Sequence, residues 1–382
     1  MSHWILSGKA GERKMPSQET CPNLFSRCFG GRQTASAAIY LLSAVARFCF
    51  GTRAFCVHFI RKQSGSDLRK KMEEDSMGKK ILGLMLALML MGMGAWASAG
   101  EVSFTDDLGR TVVVPERPER VACLIGSFAD VWHLAGGAEQ IVAAAADTWT
   151  YFDLPLGEHV ANLGATKELS MEQLIACEPD FVLASCNTAL NVELEPTFRE
   201  MGLNTAYFKV SNFQEYLNML KICTDITGCP ENYELYGAQV QQQVDQAIAR
   251  ADGSKPSVLY IRASGSSCKV KSSEGNVLGE MLADLDTVNI ADSDSGLLEQ
   301  LSMEAILQAD PDYIFVVLQG SDPSKAQAIL DTTLLNNPAW ATLSAVQQGR
   351  YHVMDPVLYN LKPNEKWGQA YEQLAEILYP AQ

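Results

Sequence analysis

From residue 100 onward this 382-residue chain is short of positive charge: 16 lysines and arginines face 39 aspartates and glutamates, a formal −23. A body that acidic repels phosphate backbones and anionic membrane surfaces, which excludes nucleic-acid binding as its main activity. Histidine is scarce as well. His133, His159 and His352 are the three beyond residue 99, too few for a bare-metal site built from several His and carboxylate ligands. Six cysteines remain there (Cys123, Cys177, Cys186, Cys223, Cys229 and Cys268), and none of their spacings is that of a zinc or cluster site. Cys223 and Cys229 are close enough in sequence to pair, but buried free thiols are the expected state for most of the six. The chain also lacks a G-x-S-x-G elbow, a P-loop, a G-x-G-x-x-G after a strand and an H-E-x-x-H. No catalytic constellation is visible, so the expectation is a protein that is not an enzyme and carries no resident cofactor. Triads assembled from distant residues leave an exported α/β enzyme as the opposing reading.

What is present is a globular composition, 47% apolar and 20% charged, at a length that suits about two domains. The first 99 residues differ from the rest, with 14 basic against 6 acidic side chains. Within them, Met77-Gly78-Lys79-Lys80 is a short basic segment, Ile81 to Met93 is almost wholly apolar, and Ala97-Ser98-Ala99 supplies small residues. That is the pattern of a secretory signal peptide over 77–99, cleaved after Ala99. The apolar run is shorter than the roughly 20 residues a bilayer requires, which argues against an anchor. The first cysteine after it is Cys123, so a lipoprotein attachment site is missing. The expected product is soluble, exported and periplasmic. Residues 1–76, with four cysteines and no sustained period, read as an extension that is disordered or never translated, with initiation at Met77.

Beyond residue 100, short apolar runs alternate with amphipathic stretches, the βα pattern of a parallel sheet. An opening hairpin is expected from Val102–Phe104 and Thr111–Val114, followed by strands at Val121–Ile125, Ile141–Ala145, Phe181–Ala184 and Thr205–Phe208. After Gly228-Cys229-Pro230, the stretch Glu231–Ala251 places Leu235, Ala238, Val244, Ala247 and Ile248 at helical spacing and reads as one long helix. Strands resume at Val258–Ile261, Val288–Ile290, Tyr313–Val317 and Tyr351–Met354. The domain reading is therefore an N-terminal lobe (100–228), an interlobe helix (229–251) and a C-terminal lobe (252–382).

The most informative feature is a repeat. Leu169-Ser170-Met171-Glu172 through Glu178-Pro179-Asp180-Phe181 recurs 132 residues later as Leu301-Ser302-Met303-Glu304 through Asp310-Pro311-Asp312-Tyr313. Each copy is a Ser cap, a short helix, a Pro-Asp turn and a buried strand. Two lobes of like construction leave a cleft, where small-molecule sites concentrate.

These residues resemble the extracytoplasmic substrate-binding proteins of ABC importers for ferric siderophores, haem and cobalamin. The resemblance spans nearly all of 101–382. It rests on the doubled segment, supported by Asp106-Asp107-Leu108-Gly109-Arg110, Pro118-Glu119-Arg120-Val121 and Asn337-Pro338-Ala339-Trp340. It implies an α/β fold of two Rossmann-like lobes with mainly parallel sheets, joined by a single long linker helix, with the ligand cleft between lobes. It also implies capture of a metal chelate or corrinoid by a monomer and delivery to an ABC permease. In the family one glutamate per lobe docks onto permease arginines, and the matching positions are Glu172 and Glu304. A glutamate in a first helical turn also favours the helix dipole by about 0.3–1 kcal/mol. Its occurrence at the same step of both copies favours docking.

Counting from the strands, the cleft loops hold Ser127, Trp149, Tyr151, Cys186, Asn187, Phe208 and Lys209 from the first lobe, and Arg262, Lys269, Lys271, Tyr359 and Lys362 from the second. Aromatics with a few cations suit a large, flat or partly anionic chelate. Ser127, Trp149, Tyr151, Asn187, Arg262, Lys269, Tyr359 and Lys362 are the expected ligand contacts. A haem ligand would draw its axial group from Tyr151, Cys186 or Tyr359. The acidic loop Asp292–Gly296 lacks the glutamate of a calcium loop and reads as a solvated turn. A ligand-free scaffold on the same fold is the third reading.

Overall fold

A computed structural model describes residues 100–320 and 322–380. The expected signal segment, the extension before it and the initiation site lie outside these residues. Among the described residues twelve strands occur, in chain order β1 (Glu101–Thr105), β2 (Thr111–Pro115), β3 (Val121–Cys123), β4 (Ile141–Ala144), β5 (Ala161–Asn162), β6 (Phe181–Ser185), β7 (Thr205–Phe208), β8 (Ser257–Ala263), β9 (Cys268–Lys271), β10 (Val288–Asn289), β11 (Tyr313–Leu318) and β12 (Tyr351–Met354). β1 and β2 form the antiparallel opening hairpin, and the rest divide into two sheets.

The first sheet runs β5-β4-β3-β6-β7 and is parallel throughout. Renumbered from its first strand, that order is 3-2-1-4-5, the doubly wound order 3-2-1-4-5-6 without its last strand. The second runs β10-β8-β11-β12 in parallel, with β9 added antiparallel to β8. Its parallel part has the order 2-1-3-4, with the same reversal after its first crossover. Strands such as β6, buried along its whole length, are apolar on both faces because helices cover both.

The apolar residues form three layers. A central cluster takes Cys123, Phe128 and Phe208 from the first sheet's inner face and its helices, with Val258, Tyr260 and Phe315 from the second. Outer clusters around Leu174 and Val182, and around Ile306 and Val316, cover the far faces. The segment between the lobes is helical over Pro230–Tyr233, widens to a π-type turn at Glu234–Ala238 and continues over Gln239–Ile248. It ends three residues before the expected Ala251. Its last part packs against the C-terminal helix Trp367–Leu378.

The sequence repeat is a structural repeat. Ser170 Oγ accepts from Gln173 N and Ser302 Oγ from Ala305 N, each at 3.3 Å, capping the helices Met171–Ala176 and Met303–Ala309. The equivalent residues Glu178 and Asp310 both turn left-handed, with φ of 43° and 36°. The Pro-Asp carboxylates then tie each turn to the start of a neighbouring strand. Asp180 accepts from Glu119 N and Arg120 N (2.8 and 3.0 Å), and Asp312 from Ser257 N and Ser257 Oγ (2.8 and 2.7 Å).

Some elements escape the sequence reading. The expected loop after β8 contains β9, and the stretch before β7 forms two short helices, Ala189–Glu193 and Glu195–Glu200. Asp294, in the acidic loop, caps a short helix, Ser295–Glu299, by accepting from Gly296 N. All six cysteines are free thiols; burial pushes Cys223 well above the ordinary thiol range.

Candidate functional site between the lobes

In open α/β sheets ligands sit outside the carboxyl ends of the strands where strand order reverses. In the first sheet that point lies beyond β3 and β6, and in the second beyond β8 and β11. The first lobe presents Gly126 and Ser127 after β3, Asp147 to Tyr151 after β4, Cys186 and Asn187 after β6, and Lys209 after β7. The second presents the end of β8 and the segment after β12, where Asp355 caps the one-turn helix Pro356–Tyr359 and the chain runs on through Asn360 to Asn364.

Two features bring these ends together. Asn364, fully buried at φ +53°, donates its amide to Ser127 O (2.9 Å) and to Asp130 Oδ2 (2.6 Å), both on the first-lobe helix Gly126–Trp132. Three residues on, Trp367 packs at a tilt against Phe213 and Tyr216 of the helix Phe213–Thr227, with ring centroids 5.8 and 6.4 Å away. Burial drives the Asp130 carboxyl up to about 7, against the opposing Asn364 hydrogen bond. Gly126 matters for the same turn: a Cβ there would fall 2.5 Å from Thr148 N, so only glycine lets this helix start against the Asp147–Thr148 backbone.

Across the junction, charges feel one another. Burial pushes the Lys362 ammonium down to about 8, with Asp147 of the first lobe opposing and Arg262 reinforcing the shift. Burial likewise raises the Asp147 carboxyl, while the Gly126 N–H and Lys362 act to lower it. Asp147 Oδ1 is buried without a hydrogen-bond partner. Glu215, at the start of Phe213–Thr227, also acts on Lys362 and forms an ion pair with Lys209 at 2.9 Å.

The expected contacts fall into different surroundings in the structure. Trp149 and Tyr151 are half-buried in the short helical turn Thr148–Phe152, and Asn187 is exposed, donating to Ser211 Oγ at 3.0 Å. Arg262 lies on β8 itself rather than in the loop after it, and its guanidinium donates to Asn360 Oδ1 at 3.1 Å. Lys269 is exposed on β9, not in a loop. Ser127 is buried beneath the Asn364 contact. Tyr359 is 1% exposed, and its hydroxyl meets Ala370 O (3.0 Å) and Gln373 Oε1 (3.1 Å). It is a packing residue against the last helix, because the one-turn helix it closes aims it inward. Asp147, Glu215 and Asn364 were not anticipated. Asp147 alone carried a local signal, as the first charged residue after the Ala143–Ala146 run.

Glu172 and Glu304 are exposed in the first turns of the two repeat helices. Those helices bury Leu174 and Ile306 in the two separate outer clusters, so the glutamates stand on different lobes. Among the described residues no group of His, Cys, Asp and Glu is arranged to hold a metal ion, and no helix is long and apolar enough to cross a membrane.

The model of the periplasmic binding protein family matches residues 121–358. Among solved structures, the periplasmic heme-binding protein RhuT from Roseiflexus sp. RS-1 is 20% identical, covering 69% of this chain and 98% of its own at a TM-score of 0.56. The vitamin B12 binding protein BtuF of Vibrio cholerae is 20% identical over 69% and 98%, at 0.57. The iron uptake substrate-binding protein PiuA from Streptococcus pneumoniae is 20% identical over 75% and 100%, at 0.58. Among proteins of curated function none matches the chain.

Proposed function

The chain belongs to the periplasmic binding protein family, and from that premise we propose that it is an exported solute-binding protein of an ABC importer. It takes an iron chelate, haem or a corrinoid between its lobes and delivers it to the permease. The observation that carries this reading is the meeting of the two sheets' carboxyl ends, joined through Asn364 on the helix Gly126–Trp132, where the charges of Asp147 of one lobe and Lys362 of the other act on each other. Trp149, Tyr151 and Asn187 would line the first-lobe side, with Arg262, Lys269 and Lys362 opposite. Ser127 and Tyr359 fall out of the ligand set because both side chains are buried. Export would follow from cleavage after Ala99.

Intrinsic tryptophan fluorescence, followed while ferric siderophores, haem and cobalamin are titrated in, tests the reading. A saturable one-to-one change without turnover is expected. Product formation would favour an enzyme, and silence across the panel a scaffold. For the permease contact, Glu172→Ala combined with Glu304→Ala should leave ligand affinity intact and impair uptake by cells. Loss of binding would make the pair structural.

A further inference from the structure

The register of β8 and β9 places a set of positive charges on one face. Arg262 is directly opposite Lys269, and Tyr260 directly opposite Lys271. Directly paired residues of an antiparallel ladder share a face, as do residues two apart along a strand. Arg262, Lys269 and Lys271 therefore stand together on the side of the sheet that carries Val258 and Tyr260, the side turned to the central cluster and the first lobe. Lys362 joins them from the segment after β12. Burial lowers the Lys271 ammonium from its ordinary value, and Arg262 and then Lys269 lower it further; Arg262 acts on Lys362 in the same sense.

Like charges directly opposite on neighbouring strands destabilise a sheet. The cost is notable here because counter-charge is abundant. Of the sixteen basic residues beyond residue 99, eight form ion pairs with carboxylates among the described residues. None of these four does, in a body with 39 acidic side chains. The Tyr260 hydroxyl, fully buried on the same face, has no hydrogen-bond partner either. The nearby acids, Asp147 and Glu215, come from the opposite lobe and act on Lys362 without pairing with it. A fold that leaves four cations unneutralised at the crevice position of its second sheet is arranged for an anion supplied from outside.

We propose that the ligand is a chelate bearing net negative charge, whose anionic groups are seated by Arg262, Lys269, Lys271 and Lys362 of the C-terminal lobe. This rests on the uptake reading above and narrows it, since a neutral corrinoid and a neutral or cationic hydroxamate chelate do not answer that charge. Charge-assisted hydrogen bonds from guanidinium and ammonium to carboxylate or catecholate oxygens supply the recognition.

The test titrates the purified full-length protein with four probes: a ferric tricatecholate, haem with its propionates, a ferric trihydroxamate and cyanocobalamin. At least one of the two anionic probes should bind tightest, and its affinity should fall as salt is raised. Lys269→Ala with Lys271→Ala should weaken that probe roughly tenfold to a hundredfold, while leaving the thermal midpoint unchanged or higher because like-charge repulsion is relieved. Cyanocobalamin or the trihydroxamate binding as tightly as the better of the two anionic probes, or an affinity unmoved by the double substitution, would overturn the anionic assignment and leave the uptake reading standing. Binding of none of the four would overturn both.

Discussion

The two lobes are built alike and charged differently. Each has a doubly wound, mainly parallel sheet, a Ser-capped helix with an exposed glutamate in its first turn, a left-handed step at Glu178 or Asp310, and a Pro-Asp carboxylate fastening the start of a neighbouring strand. Where they face each other the likeness ends. The first lobe offers Asp147, Glu215 and two half-buried aromatics, and the second four cations with no carboxylate of their own. Backbone architecture has been kept twice over because capping and hydrogen-bond satisfaction demand the same residues in both places. The facing surfaces are free of that demand, and there the lobes have diverged.

The contrast is most exposed at the join. Asn364→Ala should destabilise the protein by about 3 kcal/mol, because Ser127 O and the Asp130 carboxyl would be left buried without their donor at about 1–3 kcal/mol each; thermal or denaturant unfolding measures it. A loss below 1 kcal/mol would mean the lobes are held together elsewhere. The Asp130 carboxyl sharpens the same point through pH. Its folded value of about 7 lies above that of an unfolded aspartate, so the folded state retains a proton that the unfolded state has lost. Its contribution is present in acid and is lost as pH rises from about 4 to about 7, at up to about 1.4 kcal/mol per unit. Asp130→Asn should flatten that part of the stability profile; an unchanged slope would show that the proton is held elsewhere. The smallest effect concerns the likeness itself. Asp180→Ala and Asp312→Ala each remove two hydrogen bonds of one carboxylate, and each should cost about 1–3 kcal/mol, the two within 1 kcal/mol of each other. A clear inequality would show that the repeat is alike in shape and not in energetics.

What the sequence made legible is what local chemistry determines. The Pro-Asp repeats and the strands Thr205–Phe208 and Tyr351–Met354 appear where capping residues and periodicity place them. β9 was missed because Cys268-Lys269-Val270-Lys271 is too short and too charged to read as a strand without its partner, β8. Tyr359 was placed in the cleft by counting from a strand end, and counting fixes position but not direction. Asn364 left no mark in the sequence, since its meaning lies in two acceptors more than 230 residues away in the chain.

Within five residues, the stretch from Asn360 to Asn364 accepts from the Arg262 guanidinium, carries Lys362 into the shared space and plugs into the opposite lobe's helix. It is a short strut with an ammonium at its middle and its two ends fastened to different halves of the molecule. If a ligand is seated on Lys362 as proposed, any pull on the centre of the strut would be passed to both anchorages at once, and loading would be tied mechanically to the angle between the halves.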